Sequence, residues 1–505
     1  MQGHSDANRE LLDATALCRQ LVPANSVEAF LADHRHDLFP DTLFEDLFPS
    51  RRGRPSVPAD VIAAVMVLQA LEGLSDREAA RALRDRISWK VACGLALNDE
   101  GFDFTVLTYW RSRLRSSRAP ERIFEAVRAV VQETGVLAGR TRRALDSTLL
   151  DDAVATQDTV TQLVAQIRRV RRVVPALGAL SLGAHDYDQT AKPAIAWDDA
   201  EARATLVDAL VRDAHTLLSL EGLTLDAEQS EALALLALIA GQDVELDDEG
   251  HWRIVQGVAK DRVISVVDSE TRHMHKSRSL YRDGYKAHLC VEPDTGLITA
   301  MALTPANTPD GPTGVSLLAG EAPGLSVLAD GAYGSGETLA ALEAAGHARL
   351  IKPHVPRRAF IGGFERDDFV VDHDAHRVTC PAGHTVAITA RGHAVFGSRC
   401  RDCPLRARCT NAATGRILHI LPHDRERVES RRAWRDGDFI LDYQKHRLMV
   451  ERSIAWLVSD HSRRVRFRGV ERNQFGLSMR VAAINLRRLI NLGLTRETTW
   501  VMASG

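Results

Sequence analysis

Two short apolar runs, far apart in the chain, each end on an aspartate, and this repetition constrains the fold more than any other feature. Arg143-Ala144-Leu145-Asp146 reads as a strand that closes on a carboxylate. Residues 325–329 read as a second buried strand, ending on Asp330 and broken by Gly331. Between them lie two more strand patterns, 285–292 and 297–303, joined by a Pro-Asp-Thr-Gly turn at 293–296. Helical spacing follows at 313–318, 337–345, 442–458 and 476–492. The pattern predicts an α/β fold in which helices flank a sheet with carboxylates at its edge. Glu451, midway along the 442–458 helix, is a third acidic residue that a helix crossing that edge would deliver.

Hard divalent cations take oxygen ligands, and magnesium keeps several waters that substrate oxygens can displace. Two such ions roughly 3.5–4 Å apart can clamp a phosphodiester, one activating the attacking oxygen and the other stabilising the leaving one. Asp146, Asp330 and Glu451 are the candidate ligands for that chemistry. Each also has a plainer reading. Asp146 could serve a turn or a helix cap, Asp330 could open a turn, and Glu451 could pair with Arg447 one helical turn earlier.

A chain of 505 residues exceeds one ordinary core, because single domains stop growing at roughly 250 residues. The expected division is an all-α N-terminal domain at 1–135 and a catalytic domain at 140–355 and 426–495. A helical insertion at 160–255 and a small cysteine-containing insertion at 356–425 interrupt the latter. In the first domain a helix at 58–71 stops at Gly73, and Ser75 with Glu78 forms a capping box that opens a helix running to about Lys90. Arg77, Arg81, Arg84 and Lys90 would then line a DNA-reading helix-turn-helix, or one face of an ordinary helical hairpin. A further basic segment, 102–118, carries Arg111, Arg113 and Arg115, and a helix follows at 123–134.

The formal net charge of −3 argues against a uniformly basic coat but leaves room for local clusters that neutralise phosphates. Arg51, Arg52 and Arg54 form one cluster, 111–118 a second, and Arg463 and Arg464 begin a third. Any one of them reads as solvated surface; three in an acidic chain favour a polyanion partner. The opening residues carry no apolar export segment, and the longest apolar run, 232–240, is far short of the ~20 residues a membrane span needs. The expected location is the cytoplasm, at the nucleoid, away from membranes. Cys18, Cys93 and Cys290 are scattered as small buried hydrophobes would be, whereas Cys380, Cys400, Cys403 and Cys409 crowd together. That crowding predicts a structural Zn2+ on those four, or with His384 replacing one, against the alternative of free thiols.

Several words in fixed order say more than any one alone. They are Ala-Leu-Asp-Ser-Thr at 144–148, Asp-Gly-Tyr-Lys-Ala-His at 283–288 and Thr-Pro-Ala-Asn at 304–307. Leu-Ala-Asp-Gly-Ala-Tyr-Gly-Ser at 328–335 follows, then Tyr443, Arg447 and Glu451 on one helix. Together they resemble the catalytic domain of the DDE transposases of bacterial insertion sequences, and 51–118 is similar to that family's N-terminal DNA-binding domain. The resemblance runs from about residue 50 to 490. It implies an RNase H-like core, a mixed sheet with Asp146 on the first strand, Asp330 ending the fourth, and Glu451 on the helix after the insertion. It further implies that these three hold two Mg2+ or Mn2+ ions. The partner it implies is double-stranded DNA, bound at transposon ends by a homodimer that cleaves and transfers strands.

Tyr443 precedes Arg447 by four residues where many relatives show three, and Val458 stands where a lysine is usual. Arg463 or Arg464 would then grip the phosphate backbone. The insertion at 160–255 is also longer than a minimal core requires. Other functions stay open. A DNA-binding regulator, including a domesticated or inactive transposase, would not need the triad, yet no member of it is missing. An RNase H-like nuclease without strand transfer shares the same carboxylates. A paired-carboxylate glycosidase would need aromatic platforms, and aromatics total only 5%.

Overall fold

The computed structural model describes residues 1–5, 11–50, 52–220, 222–257, 259–275, 281–356, 358 and 360–503. Among them the main sheet has six strands: β1 (Arg142–Asp151), β2 (Arg272–His275), β3 (Tyr281–Val291), β4 (Ile298–Pro305), β5 (Ser326–Ala329) and β6 (Ala348–Ile351). The sheet is mixed. β3 pairs antiparallel with β1 along one edge and with β2 and β4 along the other. Beyond β1, β5 and β6 add in parallel. Gly284 of the Asp-Gly-Tyr-Lys-Ala-His word sits in β3 at φ 147°, where a side chain would collide with the Leu150 carbonyl oxygen of β1.

β1 does not end at Asp146. It pairs with β5 only through Ala144, then continues along β3 to Asp151. The reason is that β3 extends far enough to satisfy those backbone groups, while Leu149 and Leu150 remain buried.

Three helices position the sheet: α1 (Ala59–Glu72), α2 (Ile440–Val458) and α3 (Val470–Asn491). α1 is buried continuously from Ala59 to Gln69, so it is a central helix rather than a surface one, and it ends at Gly73 in the left-handed conformation. α3 packs against α1, and its Arg480 donates to the carbonyls of Ala70 and Leu71, while Arg466 donates to those of Gly73 and Leu74. Two guanidiniums thus satisfy the open carbonyls at the end of α1. One hydrophobic core runs from Leu31, Ile62 and Trp110 through Ala287 and Leu328 to Val450 and Ile484. The N-terminal helices, expected as a domain of their own, share that core with the sheet.

The capping box is present: Ser75 Oγ accepts from the Glu78 N–H at 3.3 Å, and the Glu78 carboxylate accepts from the Ser75 N–H at 2.7 Å. The helix it opens stops early, at Asp85; Arg86 is extended and a separate helix spans Ile87–Cys93. This break turns Trp89 and Lys90 inward. Trp89 donates to Glu72 at 2.8 Å, and the buried Lys90 ammonium donates to the carbonyls of Leu97 and Asp99. Lys90 therefore belongs to the interior and not to an exposed basic face. Ser75→Ala is expected to cost about 1 kcal/mol, read as a lower urea midpoint at unchanged slope.

Helices Thr159–Val173, Ala200–Leu218 and Ala227–Gln242 build a separate core around Leu163, Ile167, Leu210 and Leu236. Residues after 360 form another small core around Phe369, Val378 and Phe396, roofed by short strands. Among the described residues no helix is long and apolar enough to cross a membrane.

Candidate active site

The parallel register matches Ala144 with Leu328, so Asp146 and Asp330 project from neighbouring strands just where their pairing ends. Asp330 follows β5 and caps the turn Gly331–Tyr333, accepting from the Ala332 N–H at 2.9 Å. α2 lies across β1, β3 and β5. It is pinned at its start by Arg142 of β1, which donates to Asp442 at 3.1 Å, and farther on by Arg488 of α3, which donates to Ser453 at 2.9 Å. Tyr443, Arg447 and Glu451 follow at four-residue spacing, which lines them along one stripe of the helix.

Arg447 is the centre of this arrangement. Its buried guanidinium reaches Asp146 at 2.9 Å and Glu451 at 3.6 Å. The plainer reading of Glu451 as the partner of Arg447 is thus only half of the geometry, since the shorter bond goes to Asp146. The Nε and Nη1 of Arg447 are buried without a hydrogen-bond partner. Burial pushes the Asp146 carboxyl above its ordinary range; Arg447 opposes that shift and Asp330 adds to it. For Arg447 burial disfavours the charge, but Asp146, together with Tyr443 and Asp330, outweighs it and holds the guanidinium above its ordinary value. Burial likewise raises Tyr443, and raises Tyr333 well above the phenol range; the Tyr333 hydroxyl has no partner.

On the opposite face of β1 lies a polar cluster to which sequence reasoning assigned no role. Asp310 accepts from Ser147 Oγ at 2.8 Å and pairs with Lys286 Nζ at 3.2 Å; His288 Nδ1 stands 3.6 Å away. In the sequence Lys286 and His288 stand only within a longer word, and Asp310 stands in none of the quoted words. Their two-residue spacing on a strand was the available signal, since it puts both on one face. Burial drives His288 down to about 4. The unfolded His288, at its ordinary 6.5, therefore takes a proton before the folded one can. Stability contributed at neutral pH is lost as pH falls from about 6.5 to about 4, by up to about 3 kcal/mol. His288→Gln is expected to flatten that part of the melting-temperature profile, and an unchanged profile would refute this role.

Among the described residues no three His, Cys, Asp or Glu side chains already stand close enough to hold a metal ion. The donor set of Asp146, Asp330 and Glu451 is nevertheless all oxygen, as a hard divalent cation requires. A cation, Arg447, already stands between two of its members. The residues fit such an ion.

The expected DNA contacts are dispersed. Arg51 lies outside the described residues. Arg52, Arg54, Arg77, Arg81 and Arg84 are exposed, with Arg77 stacked 3.9 Å over Phe104. Arg113 lies over Phe48 at 4.6 Å, Arg111 pairs with Asp76, and Arg115 donates to the Arg111 carbonyl. Arg463 and Arg464 hold their loop to the end of β1, donating to the carbonyls of Leu149 at 3.1 Å and Asp152 at 2.9 Å. Tyr443 and Arg447, which the resemblance also implies as DNA contacts, are placed with the carboxylates.

Cys380, Cys400, Cys403 and Cys409 line one cavity together with His384. Burial raises the Cys409 thiol; Arg416 opposes the shift and the other three thiols add to it. Cys93 and Cys290 are buried with thiols pushed up to about 12, the behaviour of small hydrophobes, and Cys18 is half-buried.

A family profile described as a transposase DDE domain matches residues 259–486, and a second, described as a transposase domain, matches 17–113. The first span contains Asp330 and Glu451, while Asp146 precedes it, separated by the helical insertion. No curated protein and no solved structure matches the chain.

Proposed function

The chain belongs to the DDE transposases, and from that premise we propose that it binds the inverted repeats at the ends of an insertion sequence and catalyses strand cleavage and strand transfer. The observation that carries this reading is Arg447 bridging Asp146 and Glu451, with Asp330 within electrostatic reach, where β1 outruns β5. The arrangement of three antiparallel strands followed by two parallel ones supports an RNase H-like core. Asp146, Asp330 and Glu451 would hold two Mg2+ or Mn2+ ions. When bound, such ions activate the attacking oxygen and stabilise the leaving one. The protein's own part is to present three carboxylates from a rigid sheet and helix, with Arg447 opposing the upward shift that burial imposes on Asp146.

The exposed arginines of the N-terminal helices and the loop carrying Arg463 and Arg464 are the surfaces we assign to the DNA backbone. Both ends of an element must be held together, which favours a homodimer on DNA.

The test is cleavage of a labelled duplex carrying the ends that flank this gene, with magnesium and a supercoiled target. Nicking at the end followed by joining to the target is the expected result, with chelation abolishing both and leaving binding intact. Nicking without joining would reduce the protein to a nuclease. Binding without nicking would make it a regulator or an inactive copy.

A further inference from the structure

We propose that Cys380, Cys400, Cys403 and Cys409 bind one Zn2+ tetrahedrally, as the structural ion of the small insertion. The insertion needs such a staple. Its strands Val370–Asp372, Arg377–Thr379, Thr385–Ala387, His393–Val395 and Ile417–His419 are each three residues long. Its core has few large members beyond Phe369 and Phe396. Units this small rarely bury enough apolar surface to stay folded without a metal or disulfide.

Three separate turns deliver the four thiols. Cys380 enters a tight hairpin closed by the Gly383 N–H on the Cys380 carbonyl at 2.8 Å and the Cys380 N–H on the His384 carbonyl at 2.9 Å. Cys400 and Cys403 have the spacing of a metal knuckle, with Cys400 ending the turn Gly397–Cys400. Cys409 ends the helix Arg406–Cys409. All four line the same small, mostly apolar cavity.

Two further features suit thiolates there. The backbone N–H of Arg416 donates to Cys400 Sγ at 3.4 Å. The Arg416 side chain lines the same cavity, and its Nε is buried without a hydrogen-bond partner. Binding releases the four thiol protons and leaves a centre of net charge 2−, which Arg416 offsets. The sulfurs have not yet closed on a common point, so the ion would draw them to about 2.3 Å. Cys380 is half-buried whereas His384 is exposed, which favours four thiolates over three with a histidine.

The experiment measures metal in the full-length chain purified without chelators. About one zinc per chain is expected, and exchange with cobalt should give the intense visible bands of a tetrahedral thiolate site. Cys403→Ser is expected to lose the ion and lower the melting temperature, while Cys18→Ser keeps both. A chain that takes up neither zinc nor cobalt overturns the proposal. So does a Cys403→Ser chain that retains zinc with the parent's cobalt spectrum, or a parent whose four cysteines titrate as two disulfides. If Cys403→Ser fails to fold, the cobalt spectrum of the parent decides by itself, because its intensity reports the thiolates bound. The readout is independent of cleavage, so an inactive chain with zinc would still support this site.

Discussion

Glu451→Gln is expected to reduce strand cleavage by roughly a thousand-fold or more while leaving the affinity for end DNA within a few-fold. The size follows from what is lost: metal stabilisation of transition-state charge is worth several kcal/mol, and each 1.36 kcal/mol is tenfold in rate. Among the triad this is the cleanest substitution. Its side chain is 57% exposed and its contact with Arg447 is a loose 3.6 Å, so neutralising it costs little stability. Asp146→Asn should abolish cleavage as fully but carries a second effect. It leaves the buried Arg447 without its 2.9 Å carboxylate partner, so a loss of stability is expected as well. The measurement is cleavage rate and melting temperature side by side. Ordinary cleavage by Glu451→Gln would remove the triad assignment; a melting loss in Glu451→Gln as large as in Asp146→Asn would contradict the ranking of the two contacts.

Leu68→Ala is expected to destabilise the whole chain by about 2–5 kcal/mol, and to move the N-terminal helices and the catalytic sheet together. Leu68 lies in the fully buried run of α1, within the core that also contains Val450 and Ile484. Removing its side chain opens a cavity in that shared core. The stronger form is removal of residues 1–135. That would bare the face of α3 that packs on α1, together with Arg480 and its lost carbonyl partners. The remainder is expected to be insoluble. A fragment of residues 140–495 that folds and shows native near-ultraviolet circular dichroism would refute the shared core.

The carboxylates were visible in the sequence because local chemistry exposes them. A run of apolar residues interrupted by Asp146, another closed by Asp330 and Gly331, and a helix carrying Glu451 are patterns of a few neighbouring residues. The capping box at Ser75 and Glu78 and the stop at Gly73 belong to the same class, since caps are decided within one turn. The extent of β1 was not legible. Whether a strand goes on past Asp146 depends on whether β3, far away in sequence, supplies partners for its backbone. Lys90 misled for a related reason. A basic residue at helical spacing looks exposed until a break at Arg86 rotates the next helix and buries it on two carbonyls.

The sequence by itself offered three carboxylates as candidate cation ligands, the approximate extent of many strands and helices, and the crowding of four cysteines into one stretch, because each depends on side-chain type and short-range spacing. Only the tertiary structure decided that Arg447 stands between Asp146 and Glu451, that Asp310 backs β1 through Ser147 and Lys286, and that the N-terminal helices share a core with the sheet. The deciding contacts, Asp146 with Arg447 and Ser147 with Asp310, join residues well over a hundred positions apart. Such contacts are selected by packing and charge compensation over the whole chain, and no local pattern records them.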